Sequence, residues 1–180
     1  MVRNEPPDPR RRWTRRAALG LGLAGAGAVI GSPPATAAGV SLGRFTFDVQ
    51  SSIRPQDPPS AGWQWQGQLI EDNVASILIL ARADLTGTEP QEALGLLLAS
   101  GIGGWLPELT TGPARARATQ DGSPGLRSPI GFRPEPGRRY RGTVLITSNG
   151  GSTAILAVLG TDRLTAGRID QVLDSARWSS

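Results

Sequence analysis

Hydrophobic positions recur along this chain in three patterns, and each predicts a different element. The stretch RFTFDV alternates, with Phe45, Phe47 and Val49 on one side, the period-two sign of a half-buried strand. SSIRPQDPPSAG follows as loop, since three prolines and a glycine leave little room for regular pairing. WQWQGQLI alternates again and places Trp63, Trp65 and Leu69 together. Glu71-Asp72-Asn73 then turns the chain into VASILILARA, a continuously apolar run suited to a central strand, so the two predict an antiparallel hairpin. RRYRGTVLITSNGGSTAILAVLG predicts a second hairpin around Asn149-Gly150-Gly151, the strongest turn signal in the chain.

Two segments carry helical spacing. In the first, Thr88 is placed to cap, Pro90 suits the first turn and Gln91 completes a capping box. PQEALGLLLAS then runs to Gly101 as the residue beyond the C-terminus. Gly95 weakens this helix by about 1 kcal/mol relative to alanine. In the second, Thr165 precedes a stripe of Ile169, Val172, Leu173 and Ala176 at i, i+3, i+4 and i+7, with Arg168, Asp170, Asp174 and Arg177 outward. Between the helices, GIGGWLPEL returns the chain with Trp105 and Leu106 as plugs, GPARARAT reads as a strand, and the proline- and glycine-rich residues 120–137 read as a long irregular loop.

The N-terminal 37 residues follow another logic. Arg10, Arg11, Arg12, Arg15 and Arg16 form a basic region, an apolar run extends from Ala17 to Gly31, and Ala35-Thr36-Ala37 offers small residues at −3 and −1 of a cleavage site. TRRAAL resembles the twin-arginine export consensus through Arg15, Arg16 and Leu19, with Ala18 where a bulkier apolar residue is usual. The weakly hydrophobic, Gly/Ala-rich run favours that route over the general secretory one. At about 15 residues it is shorter than the roughly 20 a spanning helix needs. The expectation is a signal peptide over residues 1–37, cut after Ala37, and one extracytoplasmic domain over residues 38–180 with no stable membrane span after cleavage.

Charge must be recounted on that division. The whole chain carries 19 basic and 15 acidic residues, a net +4, but six of the former and two of the latter precede Ala38. The mature domain holds 13 arginines and 13 carboxylates and is neutral. The basic balance that would suggest nucleic acid belongs to the leader, so no nucleic-acid partner is expected. Cysteine is absent, which excludes disulfides and attachment of lipid at a signal-peptide cysteine, and a domain of this length buries enough surface to fold without staples. Arginine as the only basic residue, with abundant Ala, Gly and Pro, points to GC-rich bacterial coding of the actinobacterial kind.

The order strand, strand pair, helix, strand, long loop, hairpin, helix resembles the PsbP/Mog-like α/β sandwich. Phe45-Thr46-Phe47, the proline-rich loop and Trp63 are similar to the family's opening strand and its P-x-W motif. GPARARAT resembles the family's G-x-P-A strand, although Gly112-Pro113-Ala114 lacks the intervening residue. RIDQVLDSARW looks like the family's closing helix, with Ala176 where a bulkier residue is usual. The resemblance implies an α+β fold, mainly antiparallel sheet flanked by helices. It also implies a non-enzymatic domain that binds partners, often secreted, and it supplies no catalytic residues.

Residue types narrow the chemistry further. Without His, Cys or Lys there is no Ser–His–Asp triad, thiol nucleophile, Schiff base or Ser–Lys dyad. No cofactor or metal is expected, a carboxylate-only zinc site being rare. A carboxylate pair of the glycosidase type remains open, but Glu71 and Asp72 are adjacent on a turn and read as solvated. Asn149-Gly150-Gly151-Ser152-Thr153 has the look of a phosphate cradle, yet no helix follows it, so it reads as a hairpin turn. Trp63 and Trp65 could form an aromatic platform for a ligand or partner, with core packing the plainer reading. Arg139 and Arg141 share a strand face and with Arg138 could hold an anion or a partner's carboxylates, the plainer reading being protection of an edge strand. The expected function is binding of an envelope protein or small ligand. A carboxylate-only envelope hydrolase and an apolar-ligand carrier are the alternatives.

Overall fold

The computed structural model of the chain describes residues 37–179 apart from 58, 61, 103–105, 107 and 163. The expected leader with Arg15, Arg16 and Ala35, and also Trp105, lies outside those residues. Ala37 falls inside them, as the first residue of a strand.

The chain runs β1 (Ala37–Leu42), β2 (Phe45–Gln50), β3 (Arg54–Pro55), β4 (Trp65–Glu71), β5 (Val74–Thr86), α1 (Pro90–Ile102), β6 (Thr110–Thr111), β7 (Arg115–Ala116), β8 (Gly125–Glu135), β9 (Arg138–Asn149), β10 (Ser152–Gly160), α2 (Ala166–Asp174) and β11 (Arg177–Trp178). Eight strands form one antiparallel sheet in the order β3-β4-β5-β10-β9-β8-β6, with β7 also on β8, and β1-β2-β11 form a second sheet. The large sheet is apolar on both faces. On one, Ile77, Ile79, Leu145, Leu156 and Val158 meet Phe45, Phe47, Val49, Trp178, the α2 residues Val172 and Leu173, and Ala176, which lies just past the helix rather than in its stripe. On the other, Leu80, Val144, Ile146, Ile155 and Leu159 meet Ala93 and Leu97 of α1, Leu106 and Trp63. Two covered faces explain why β5 and β10 read as continuous apolar runs, whereas β2, solvated on one side, alternates.

Both hairpins form where their turn chemistry puts them. Asp72 and Asn73 take φ of 51° and 60°, and Gly150 and Gly151 take 57° and 79°, the left-handed pairs a two-residue hairpin turn requires. α1 also forms, with Pro90 in its first position, but its cap differs from the expected one. The residue before Pro90 is Glu89, and its N–H donates to the Glu92 carboxylate at 3.2 Å, so the first turn is tied by Glu89 and Glu92 rather than by Thr88 and Gln91. The helix continues through Gly101 to Ile102. Thr165 occupies the N-cap of α2 without a side-chain bond, and Arg177 lies beyond the helix, in β11.

Residues 120–137 are not an irregular loop, because most of them form β8. Pro129 sits within it, and its carbonyl accepts the Gly112 N–H at 2.8 Å, so the missing proline N–H falls on the outer side of the strand, where few ladder bonds are lost. GPARARAT in turn is not a full strand, and only Arg115–Ala116 pairs with β8. Trp63 and Trp65 do not share a face. The regular ladder of β4 begins at Trp65, whose ring packs edge-on against Phe47 at 5.4 Å. Trp63 lies in a turn closed by its own N–H to the Ser60 carbonyl and enters the opposite core. A side chain on Gly67 would overlap the Trp65 ring and Ile53, so the glycine makes the space in which that ring lies.

Candidate functional site

The candidate contact residues divide between core and surface. Trp63 is 6% exposed, Trp65 is half-buried, and Trp178 is buried with its indole N–H donating to Thr147 Oγ1 at 3.3 Å. Neither Trp63 nor Trp65 lines either of the two larger surface grooves. Glu71 and Asp72 occupy the β4–β5 turn. The Tyr140 hydroxyl is not isolated in its strand, since it donates to the Ala75 carbonyl at 2.6 Å.

Arg138, Arg139 and Arg141 lie at the start of β9, where the β10 ladder ends opposite Arg141, so Arg138 and Arg139 stand on a stretch that β10 does not pair. Strand alternation fixes their directions. Tyr140 between them faces the α1 core and stacks on Phe132 of β8 at 5.2 Å, so Arg139 and Arg141 point to the face on which α2 packs. Both are exposed, and neither has a carboxylate partner among the described residues, whereas Arg138 is engaged. On β8, Arg127 marks that same face by pairing with Asp170 and Asp174 of α2 at 3.4 and 2.7 Å. Counting on by twos, Gly131 shares it, and the register with β9 then shifts between Phe132 and Glu135, around Arg133. Gly131 lies directly opposite Arg141. Arg133 pairs with Glu108 at 3.3 Å, both about half exposed.

These residues border a groove of about 210 Å³ lined by Glu108, Leu109, Thr110, Phe132, Arg133 and Arg139. One of its walls is the outer edge of β8. β6 pairs with β8 only at Ile130 and Gly131, and beyond Gly131 no described strand continues the ladder. Glu108, with φ of 52°, is where the chain bends into that short pairing. Arg133 and Glu108 escaped sequence reasoning because their segments read as loop. The alternation of Ile130 and Phe132 was the available signal, masked by Pro129 and Pro134.

A larger groove of about 440 Å³ lies at the opposite end of β9, bordered by Gly87–Glu89, Ser123, Pro124, the Asn149–Gly151 turn and Thr153. α1 begins at its rim, which sequence spacing alone did not reveal, but the exposed Glu89 carboxylate stands there and opposes an anion. Beside it, Asp121 binds the hydroxyls of Thr119 and Ser123. Desolvation alone would raise its pKa; the Ser123 and Thr119 hydroxyls and the Trp178 N–H outweigh that and hold it below the usual carboxylate value. Asp84 is lowered chiefly by its hydrogen bond from Arg82 at 2.8 Å. No group of three or more His, Cys, Asp or Glu among the described residues is arranged to hold a metal ion, and no described helix is long and apolar enough to cross a membrane.

No protein-family model matches the chain, and no curated protein sequence is similar to it. Solved structures are similar. Cyanobacterial PsbP (CyanoP) from Synechocystis sp. PCC 6803 superposes with a TM-score of 0.58 at 12% identity, over 85% of this chain and 98% of that one. The Saccharomyces cerevisiae Ran-binding protein Mog1p gives 0.44 at 13% identity, over 77% and 82% of the two chains. A protein from Bacteroides thetaiotaomicron VPI-5482 gives 0.48 at 14% identity, over 76% of this chain, which spans only 46% of that protein's length. The overlap with nearly all of cyanobacterial PsbP, together with the two helices packed on mainly antiparallel sheet, makes the fold of this chain a PsbP/Mog-like α+β sandwich.

Proposed function

We propose that the chain is exported by a twin-arginine signal and acts outside the cytoplasm as a binding domain without turnover of its own, contacting its partner through the arginines of β9. The observation that carries this reading is the direction in which the carboxylates shift. A general acid working near neutral pH needs its pKa raised, and among the described residues the two carboxylates that shift, Asp84 and Asp121, are both lowered. Each is held by donors that stabilise its ionised form, so each serves structure. The basic side chains complement that picture, because Arg139 and Arg141 stand exposed, without a carboxylate partner among the described residues, Arg141 where β9 is paired by both β8 and β10 and Arg139 two residues before it. Sites on such elements are presented without an ordering cost at binding. The apolar-carrier reading loses its support with Trp63 and Trp65 engaged in the two cores.

The test is a turnover screen of the purified protein against peptidoglycan fragments, model esters and aryl glycosides. No turnover is expected. Activity that disappears when one carboxylate is replaced by its amide would move the reading to a hydrolase.

A further inference from the structure

We infer that the fold itself closes the site at which the leader is cut, and that cleavage waits on the first half of β1 peeling away from β2. This rests on the exported-domain reading and adds a condition on how the chain matures. The expected cut, after Ala37, falls between the first two residues of β1. Ala37 lies opposite Gln50 and Ala38 opposite Val49, so the bond to be broken joins two rungs of an antiparallel ladder. A protease takes its substrate as an extended segment whose backbone groups pair with the walls of its own cleft. In β1 the groups on one side already serve β2, and they cannot serve both partners at once. Hydrolysis of the Ala37–Ala38 bond adds the hydroxyl of water to the Ala37 carbonyl carbon and its proton to the Ala38 nitrogen. Wherever the domain has folded before that step, the first rungs must open for it.

The strand is constructed to open in this half. Among the described strands β1 pairs with β2 alone, at the end of the small sheet. Its side chains divide at Val40. Ala37, Ala38 and Gly39 are exposed, whereas Val40 and Leu42 pack against the core. Peeling back as far as Gly39 therefore uncovers no core side chain, and peeling further does. Gly39 stands at that junction without a steric reason to be glycine. A Cβ there would meet only Asp48 Oδ1, at 3.7 Å, and its backbone is not left-handed. Gly43, with φ of 61° in the β1–β2 turn, is the contrasting case. A glycine inside a strand weakens it, because the released chain gains more freedom there than any other residue would. The fold loses little by the cut. The mature strand begins at Ala38 and gives up one rung, Ala37 on Gln50, so β1 can close again.

The experiment times cleavage of the purified, folded full chain by a bacterial signal peptidase, beside a synthetic peptide of residues 28–42, which has no β2 to pair with. The peptide should be cut after Ala37 about tenfold faster than the folded chain, since cleavage of a closed segment follows the population of its open form. Gly39→Val should slow cleavage of the folded chain about fivefold and leave the correspondingly substituted peptide unchanged. Val40→Ser removes the anchor, so it should speed cleavage of the folded chain and again leave the peptide unchanged. Gly39→Val adds no contact closer than an ordinary one, so it keeps the test decisive even if Val40→Ser loosens the whole small sheet. Equal rates for folded chain and peptide would overturn the inference, as would a folded Gly39→Val chain cut as fast as the wild type. A Gly39→Val effect that the peptide reproduces would assign the difference to the peptidase's own preference and overturn it too. A peptide that is not cut after Ala37 would remove the site along with its closure. The turnover screen and the fate of the arginine-pair variant are independent of these rates, so the binding and export readings can survive the loss of this one.

Discussion

Asp121 shows how a single exposed loop residue is held to its neighbours. Its carboxylate accepts from Thr119 and Ser123, Asn149 Nδ2 donates to the same Ser123 hydroxyl, and the adjacent Gln120 N–H reaches the Ala176 carbonyl. One aspartate thus organises the segment that leads into β8 and joins it to the chain after α2. Its folded pKa lies below the ordinary 3.8. The stability it contributes is therefore fully present above the unfolded value and is lost as pH falls through the folded one. Thermal unfolding followed from pH 6 down to pH 2 should show a fall in Tm that is shallower in Asp121→Asn, with the variant already less stable at pH 6. A variant as steep as the wild type below pH 4 would assign the loss to other carboxylates, Asp84 first among them.

At the scale of elements, α2 is a wall of the sandwich. Leu173 is fully buried and Val172 nearly so, and the helix touches β2, β9 and β10. Leu173→Ala removes a fully buried core side chain, so a loss of about 2–5 kcal/mol is expected, read as a lower Tm or denaturation midpoint. An unchanged midpoint would place the helix outside the cooperative core. Arg127 clamps the same helix from β8, although its Nε is buried without a partner. Elements whose signal is local were legible in the sequence: the two tight hairpins, the apolar stripe of α2 and the alternation of β2. Elements whose signal is a tertiary permission were not. Pro129 forbids a central strand, yet β8 tolerates it because its outer side is barely paired, and nothing within residues 120–137 could reveal that. Trp63 and Trp65 failed for a similar reason, since alternation assumes a strand that had not begun at Trp63. Of the candidate site, the exposed pair Arg139 and Arg141 was visible from spacing. The β8 edge and Arg133 beside it depended on the strand that was misread.

For the molecule as a whole, the proposed twin-arginine leader would decide where it works. The proposed receptor contact needs guanidinium groups, which present a planar fork of donors that an ammonium does not reproduce. Replacing Arg15 and Arg16 together with lysine should leave precursor in the cytoplasm, as fractionation and immunoblotting would show. Undiminished secretion would refute this route, though not export by another.

The pairing of β11 with β2 also sets a schedule. Phe45 packs on Trp178 at 5.2 Å, and Thr46 binds the Arg177 carbonyl across 131 positions of sequence. During synthesis, therefore, the small sheet waits with an unfilled edge and an uncovered Phe45 until nearly all of the domain has left the ribosome. A growing chain is in this respect an unfinished object, since this layer cannot close before residues 177 and 178 have emerged. A translocase that accepts only folded cargo would thus find nothing to carry until residues 177 and 178 had closed the layer.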